Sequence, residues 1–223
     1  MKLSILDRLR LLGGFFTIAR DPRNLDGVLD LADAIADKAQ PAHLESGPVR
    51  EALDRFREDA PLPTREALRA LPEGSVGREL GRFLDDNGLD LAALDRPDDG
   101  SQLQRFRAAM RESHDLWHVV TGWTPDLLGE LGLQAFYLAQ MRIPFPAFVL
   151  AAGLLHVVWK EPRHFFTIVD GVADGYRQGR EARPLAQVRW SGHLHRPLGE
   201  VRRELGVRPA TALDEPVIPL LAA

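Results

Sequence analysis

HDLWHVVTGWTPDLLGE, residues 114 to 130, decides how this chain is read. A helix that starts at QLQRFRAAMRES runs on through HDLWHVVT and ends near Gly122. Thr124, Pro125 and Asp126 then restart a helix, with Thr as N-cap, Pro at the first helical position and Asp favourably placed on the dipole. That second helix carries Glu130 and runs to about Met141, where RIPFP breaks it. On the first helix His114 and His118 lie one turn apart, about 6 Å along the axis and on one face.

Outward from this stretch, helical signals dominate. LDGVLDLADAIADKA (residues 25–39) places Leu, Val and Ile at three-to-four spacing with Asp opposite. VREALDRFRED follows as a short helix, then another at TREALRAL, and then a helix from Ser75 to about Asn87. Ser75 is the expected N-cap there and Gly88 the C-terminal stop. DRPDDGS (residues 95–101) reads as a loop. After RIPFP come an apolar helix ending at Trp159, a helix in EPRHFFTIVDGVADGYRQGREA and a last one from Pro197. No run alternates apolar and polar residues long enough for a strand. The expectation is an all-α, single-domain multi-helix bundle of seven to nine helices over residues 1–208, with a loose tail at 209–223.

The bulk numbers agree with one substantial core. The 223 residues are 45% hydrophobic and 27% charged, with a net charge of -4. A slightly acidic chain lacks the basic surface that nucleic acid requires. With no cysteine, disulfides, thiolate metal sites, iron–sulfur clusters and a thiol nucleophile are excluded, so any metal must sit on His, Asp or Glu. MKLSILDRLRLLGGFFTIAR is neither signal peptide nor membrane span, because Asp7, Arg8 and Arg10 interrupt it. It reads as an amphipathic helix broken at Gly13 and Gly14. A cytoplasmic protein that touches a membrane surface is the default.

Two imidazoles four residues apart can grip one ion, as in the H-E-x-x-H motif of metalloproteases. Here the second position is Asp115, a carboxylate one methylene shorter, which suits a zinc protease poorly. Asp115 is either a third ligand or a residue that orients a ligating His. Glu130, separated from His118 by eleven residues, completes the set from the next helix. Two His with one or two carboxylates suit zinc, iron, manganese or cobalt. Spacing alone leaves a second reading open, in which helix neighbours merely carry polar side chains. An HD-type phosphohydrolase would need an upstream His, and His43 stands far away on a Pro-flanked loop. His156, His164, His193 and His195 have no partner at ligand spacing and are read as structural.

The H-D-x-x-H pair followed after eleven residues by Glu resembles the signature of a coenzyme Q biosynthesis family, the fourth of the eukaryotic ubiquinone-assembly proteins. The match is complete at His114, Asp115, His118 and Glu130. LPEGSVGRELGRFLDDNGLD (residues 71–90) resembles the family's L-P-x-G-S-x-G-R-x-x-x-x-F-L segment, and GYRQGREARPL, RW and PLGEVRRELGV are similar to its C-terminal region. The resemblance spans roughly residues 10–208.

It implies an all-helical protein with a divalent metal on His114, Asp115, His118 and Glu130. The implied activity is loss of the C1 carboxylate from a polyprenyl hydroxybenzoate, coupled to hydroxylation at that carbon. An alternative is a scaffold that holds other ubiquinone biosynthesis proteins together. Within the enzyme reading, Asp115 assists the metal and Arg111 pairs with the substrate carboxylate. The Gly74–Arg78 helix start could offer N–H groups to an anion. The apolar stretch from Leu131 to Trp159 could hold the prenyl tail, and LRLLGGFFTI could dip into a membrane surface. A homo-oligomer in the bacterial cytoplasm, peripheral on the inner membrane, is the expected setting.

Overall fold

The computed structural model of the chain describes residues 5–21, 47, 50, 54, 59–89 and 102–211, with side chains from residue 12 in the first stretch and, in the helix from 102, at 110 and from 113 onward. The expected helix at 25–39, most of the one at 49–59, the loop at 95–101 and most of the tail lie outside the described residues. Eight α-helices and three short 3-10 turns form among the described residues. An isolated bridge joins Ser75 and Pro197. The class is all-α.

The chain divides into two compact units that interleave along the sequence. One gathers α1 (Ile5–Arg20), α5 (Leu127–Met141), α6 (Pro144–Lys160) and α7 (Phe165–Glu181). α1 runs unbroken through Gly13 and Gly14, contrary to the sequence expectation. Each helical glycine costs about 1 kcal/mol relative to alanine. Burial of Ile18 and Ala19 on Ala152 of α6, with Phe15, Phe145, Phe148 and Leu155 around them, offsets that cost.

α5 is buried on nearly every side; Leu127, Leu131, Leu133, Ala135 and Phe136 are at most 2% exposed. α7 can lie against it because glycines recur every fourth residue at 171, 175 and 179. A Cβ on Gly175 would overlap the Gly132 carbonyl, and one on Gly179 would come within 2.7 Å of Phe136 O. Between the same two helices the buried indole of Trp123 donates to Gln178 Oε1 at 2.9 Å.

The other unit holds α2 (Arg65–Arg69), α3 (Val76–Asp86), α4 (Gln102–Thr121) and α8 (Leu198–Leu205). Thr64 caps α2 and Ser75 caps α3, each side-chain oxygen accepting an N–H three residues on. Gly88, with φ of 62°, follows the Asn87 C-cap as the sequence suggests. α3 packs on both α2 and α4, burying Val76, Leu80 and Leu84. The Arg69 guanidinium grips both oxygens of Asp85 at 2.7 and 2.6 Å, tying α2 to the end of α3. Pro209 and Ala210, placed in the tail by the sequence reading, pack on Gly122, and Ala210 N donates to Thr121 O at 2.8 Å.

Candidate metal centre

The end of α4 sets the position of its histidines. The His118 carbonyl accepts from Gly122 N at 2.8 Å. Gly122 adopts a left-handed φ of 81°, the usual way a helix stops. Thr121 Oγ1 donates back to Trp117 O at 2.6 Å.

The next helix then starts differently from the expectation. Asp126, not Thr124, is the N-cap of α5, its carboxylate accepting from Gly129 N at 2.7 Å. Thr124 and Pro125 belong to the turn. The Thr124 carbonyl lies so close to Gly129 that a Cβ there would overlap it, which explains the glycine. Glu130 therefore sits in the first turn of α5, where the helix dipole favours a carboxylate.

The rings of His114 and His118 meet edge to face, with centroids 4.7 Å apart and planes at 69°. His118 is 2% exposed and stacks on Phe83 of α3 at 5.4 Å and 20°. One donor atom from each of His114, His118 and Glu130 lies within 4.8 Å of the others. Donors about 2.1 Å from a tetrahedral ion stand about 3.4 Å apart. Two imidazole nitrogens and a carboxylate oxygen are a donor set for zinc, iron, manganese or cobalt. His114 and Glu130 are half-buried. The group could hold a metal ion.

Asp115 is not among the gathered donors. Its Oδ1 lies 3.5 Å from His114 Nδ1. Arg111 lies on α4, but its side chain is outside the described residues. The Gly74–Arg78 helix start does not form an anion site: Val76 N and Gly77 N donate to Arg196 O and Leu194 O, both at 2.9 Å, and Arg78 N donates to Ser75 Oγ. Among the other histidines, His156 Nδ1 meets Ala19 O at 3.0 Å and His193 Nδ1 meets Arg196 at 3.2 Å. Phe83 was missed as a site residue; its one signal was its place in the 71–90 block.

A family model described as coenzyme Q (ubiquinone) biosynthesis protein Coq4 matches residues 58–211. The chain belongs to the Coq4 family. The mitochondrial Coq4 ubiquinone biosynthesis protein of Talaromyces stipitatus is 31% identical over 216 residues, which cover 92% of this chain and 73% of the relative. That of Neosartorya fischeri is 30% identical over 207 residues, covering 87% and 70%. The crystal structure of a Nostoc punctiforme protein assigned to ubiquinone biosynthesis superposes with a TM-score of 0.71 at 25% identity, covering 90% of this chain and 96% of that one. The Coq4 match takes in all four residues of the H-D-x-x-H…E pattern. No helix among the described residues is long and apolar enough to cross a membrane.

Proposed function

We propose that this Coq4-family protein is a metal-dependent oxidative decarboxylase that replaces the C1 carboxylate of a polyprenyl hydroxybenzoate with a hydroxyl. The observation that carries this reading is the convergence of His114, His118 and Glu130 on one potential ion position. An ion held there would supply Lewis acidity toward the substrate carboxylate and phenolate. Asp115 keeps the His114 ring in one orientation through its Nδ1 edge. Phe83 covers one face of the His118 ring and keeps water from it. Arg111, one turn before His114, is proposed to pair with the substrate carboxylate before it departs as carbon dioxide. One atom of dioxygen becomes the new hydroxyl and the other leaves as water; of the four electrons this takes, the ring gives two as carbon dioxide departs and an added two-electron reductant gives the other two.

The polyprenyl tail of such a substrate is insoluble, so the protein is proposed to meet it at the bacterial inner-membrane surface from the cytoplasmic side. Exposed aromatics support this: Phe16 of α1, Trp159 at the end of α6, and Phe166 at the start of α7, the last two flanking Lys160 and Arg163. Aromatic and basic side chains together suit a lipid interface.

The test is turnover of a short-tailed prenyl hydroxybenzoate under labelled oxygen with a chemical two-electron reductant present. The protein is loaded in turn with iron, cobalt, manganese and zinc, with His118→Ala as control. Carbon dioxide release with label on the vacated ring carbon, absent in the variant, supports the enzyme and names its metal. No turnover with any metal, alongside tight prenyl-lipid binding, would move the assignment to a binder or scaffold for other ubiquinone biosynthesis proteins.

A further inference from the structure

The last four carbonyls of an α-helix have no partner within it, and in α4 those belong to the turn that contains His118. Gly122 N takes the His118 carbonyl and Ala210 N takes that of Thr121. The two between them go to one side chain. Arg202 of α8 donates from Nη2 to Val119 O at 2.8 Å and from Nε to Val120 O at 2.9 Å. A guanidinium is suited to this place twice over: its rigid fork spans two neighbouring acceptors, and its charge faces the negative end of the helix.

We infer that Arg202 is a positioning residue for the metal centre, locking the last turn of α4 so that His118 faces its fellow donors. The inference rests on the metal reading of that site. α8 is itself fixed, with Val201 and Leu205 buried, so Arg202 projects from an anchored base. Its neighbour Arg203 is exposed and donates within its own helix, to Gly199 O at 3.2 Å. Half-burial draws the Arg202 guanidinium below the usual arginine range, with Glu79 opposing. A partly desolvated charge of this kind is costly unless its hydrogen bonds are made, which makes the two carbonyl contacts hard to give up. The nearest alternative, lysine, places one point charge where two directed donors stand now.

The experiment uses the full chain, cobalt(II) as the probe, affinity by chelator competition and the cobalt absorption bands. Arg202→Lys is expected to weaken cobalt binding about 10-fold, the lower end of what lost outer contacts cost a metal site, and to alter the bands. It should also speed hydrogen exchange at the Gly122 amide. Arg203→Lys should change none of these. Ile18→Ala, a cavity in the core under α1, should lower Tm while leaving cobalt affinity and spectrum as in the parent. A folded Arg202→Lys protein with parental affinity and bands overturns the inference. So does an equal loss of affinity in Ile18→Ala, because the effect would then be general stability. A parent protein that takes up no cobalt overturns the metal centre itself and the role of Arg202 with it.

Discussion

His118 does two jobs at the level of single residues: its ring donates to the proposed ion, and its backbone ends the helix. Removing the ring should abolish metal uptake while the Gly122 stop survives. His118→Ala and Glu130→Ala are each expected to return metal-free protein by elemental analysis of the purified chain. Metal retained after both substitutions would dispose of the assignment. Asp115→Asn should keep the ion but hold it about 10- to 100-fold less tightly, as lost orienting partners do. Arg111→Ala should retain metal and lose turnover, and loss of metal there would refute its substrate role. The histidine pair and Glu130 were legible in the sequence because all of them fall within one helix, one turn and the next helix. Asp126 displaced Thr124 as the cap because its carboxylate reaches Gly129 N, a detail that two capping residues two apart leave undecided.

Helices show where sequence reasoning stopped. Glycines usually argue against a helix, yet α7 uses three of them to bring its backbone against α5. Which helix meets that ridge is a tertiary fact, invisible in one segment. Gly175→Ala is expected to destabilise the fold by about 1–3 kcal/mol or more, the cost of overpacking a tight contact, read as a lower urea midpoint. An unchanged midpoint would mean that α7 does not approach α5 so closely. α1 illustrates the same lesson, since the packing of Ile18 and Ala19 outweighs two glycines.

The link between α2 and α3 carries a pH signature. Hydrogen bonding from Arg69, and then the charges of Arg69 and Arg65, hold the Asp85 carboxyl below the usual carboxylate range. A carboxyl depressed in the folded state stabilises it above the unfolded value, and that stability fades as pH falls through the folded value. Asp85→Asn should therefore be less stable than the parent near neutrality, and the gap should close in acid. A gap that persists in acid would assign the effect to shape rather than charge.

For the whole molecule, an ion that binds only the folded chain should stabilise all of it. At a free concentration of 100 Kd the gain is about 2.7 kcal/mol, or roughly 5 to 10 °C in Tm for a chain of this size. His118→Ala should show no such rise by calorimetry. The all-α class was legible because helical periodicity is local. The interleaved grouping was not, because it depends on segments far apart in the chain: one unit closes only when residues after 180 join those before 123. Arg202 follows Val120 by 82 residues. A ribosome adding about 5–20 residues per second makes the histidine-bearing helix roughly 4 to 16 seconds before the arginine that locks it. During synthesis the ion site thus waits on a segment made well after its histidines, and a chain stalled before that arginine should hold metal more weakly than the full chain.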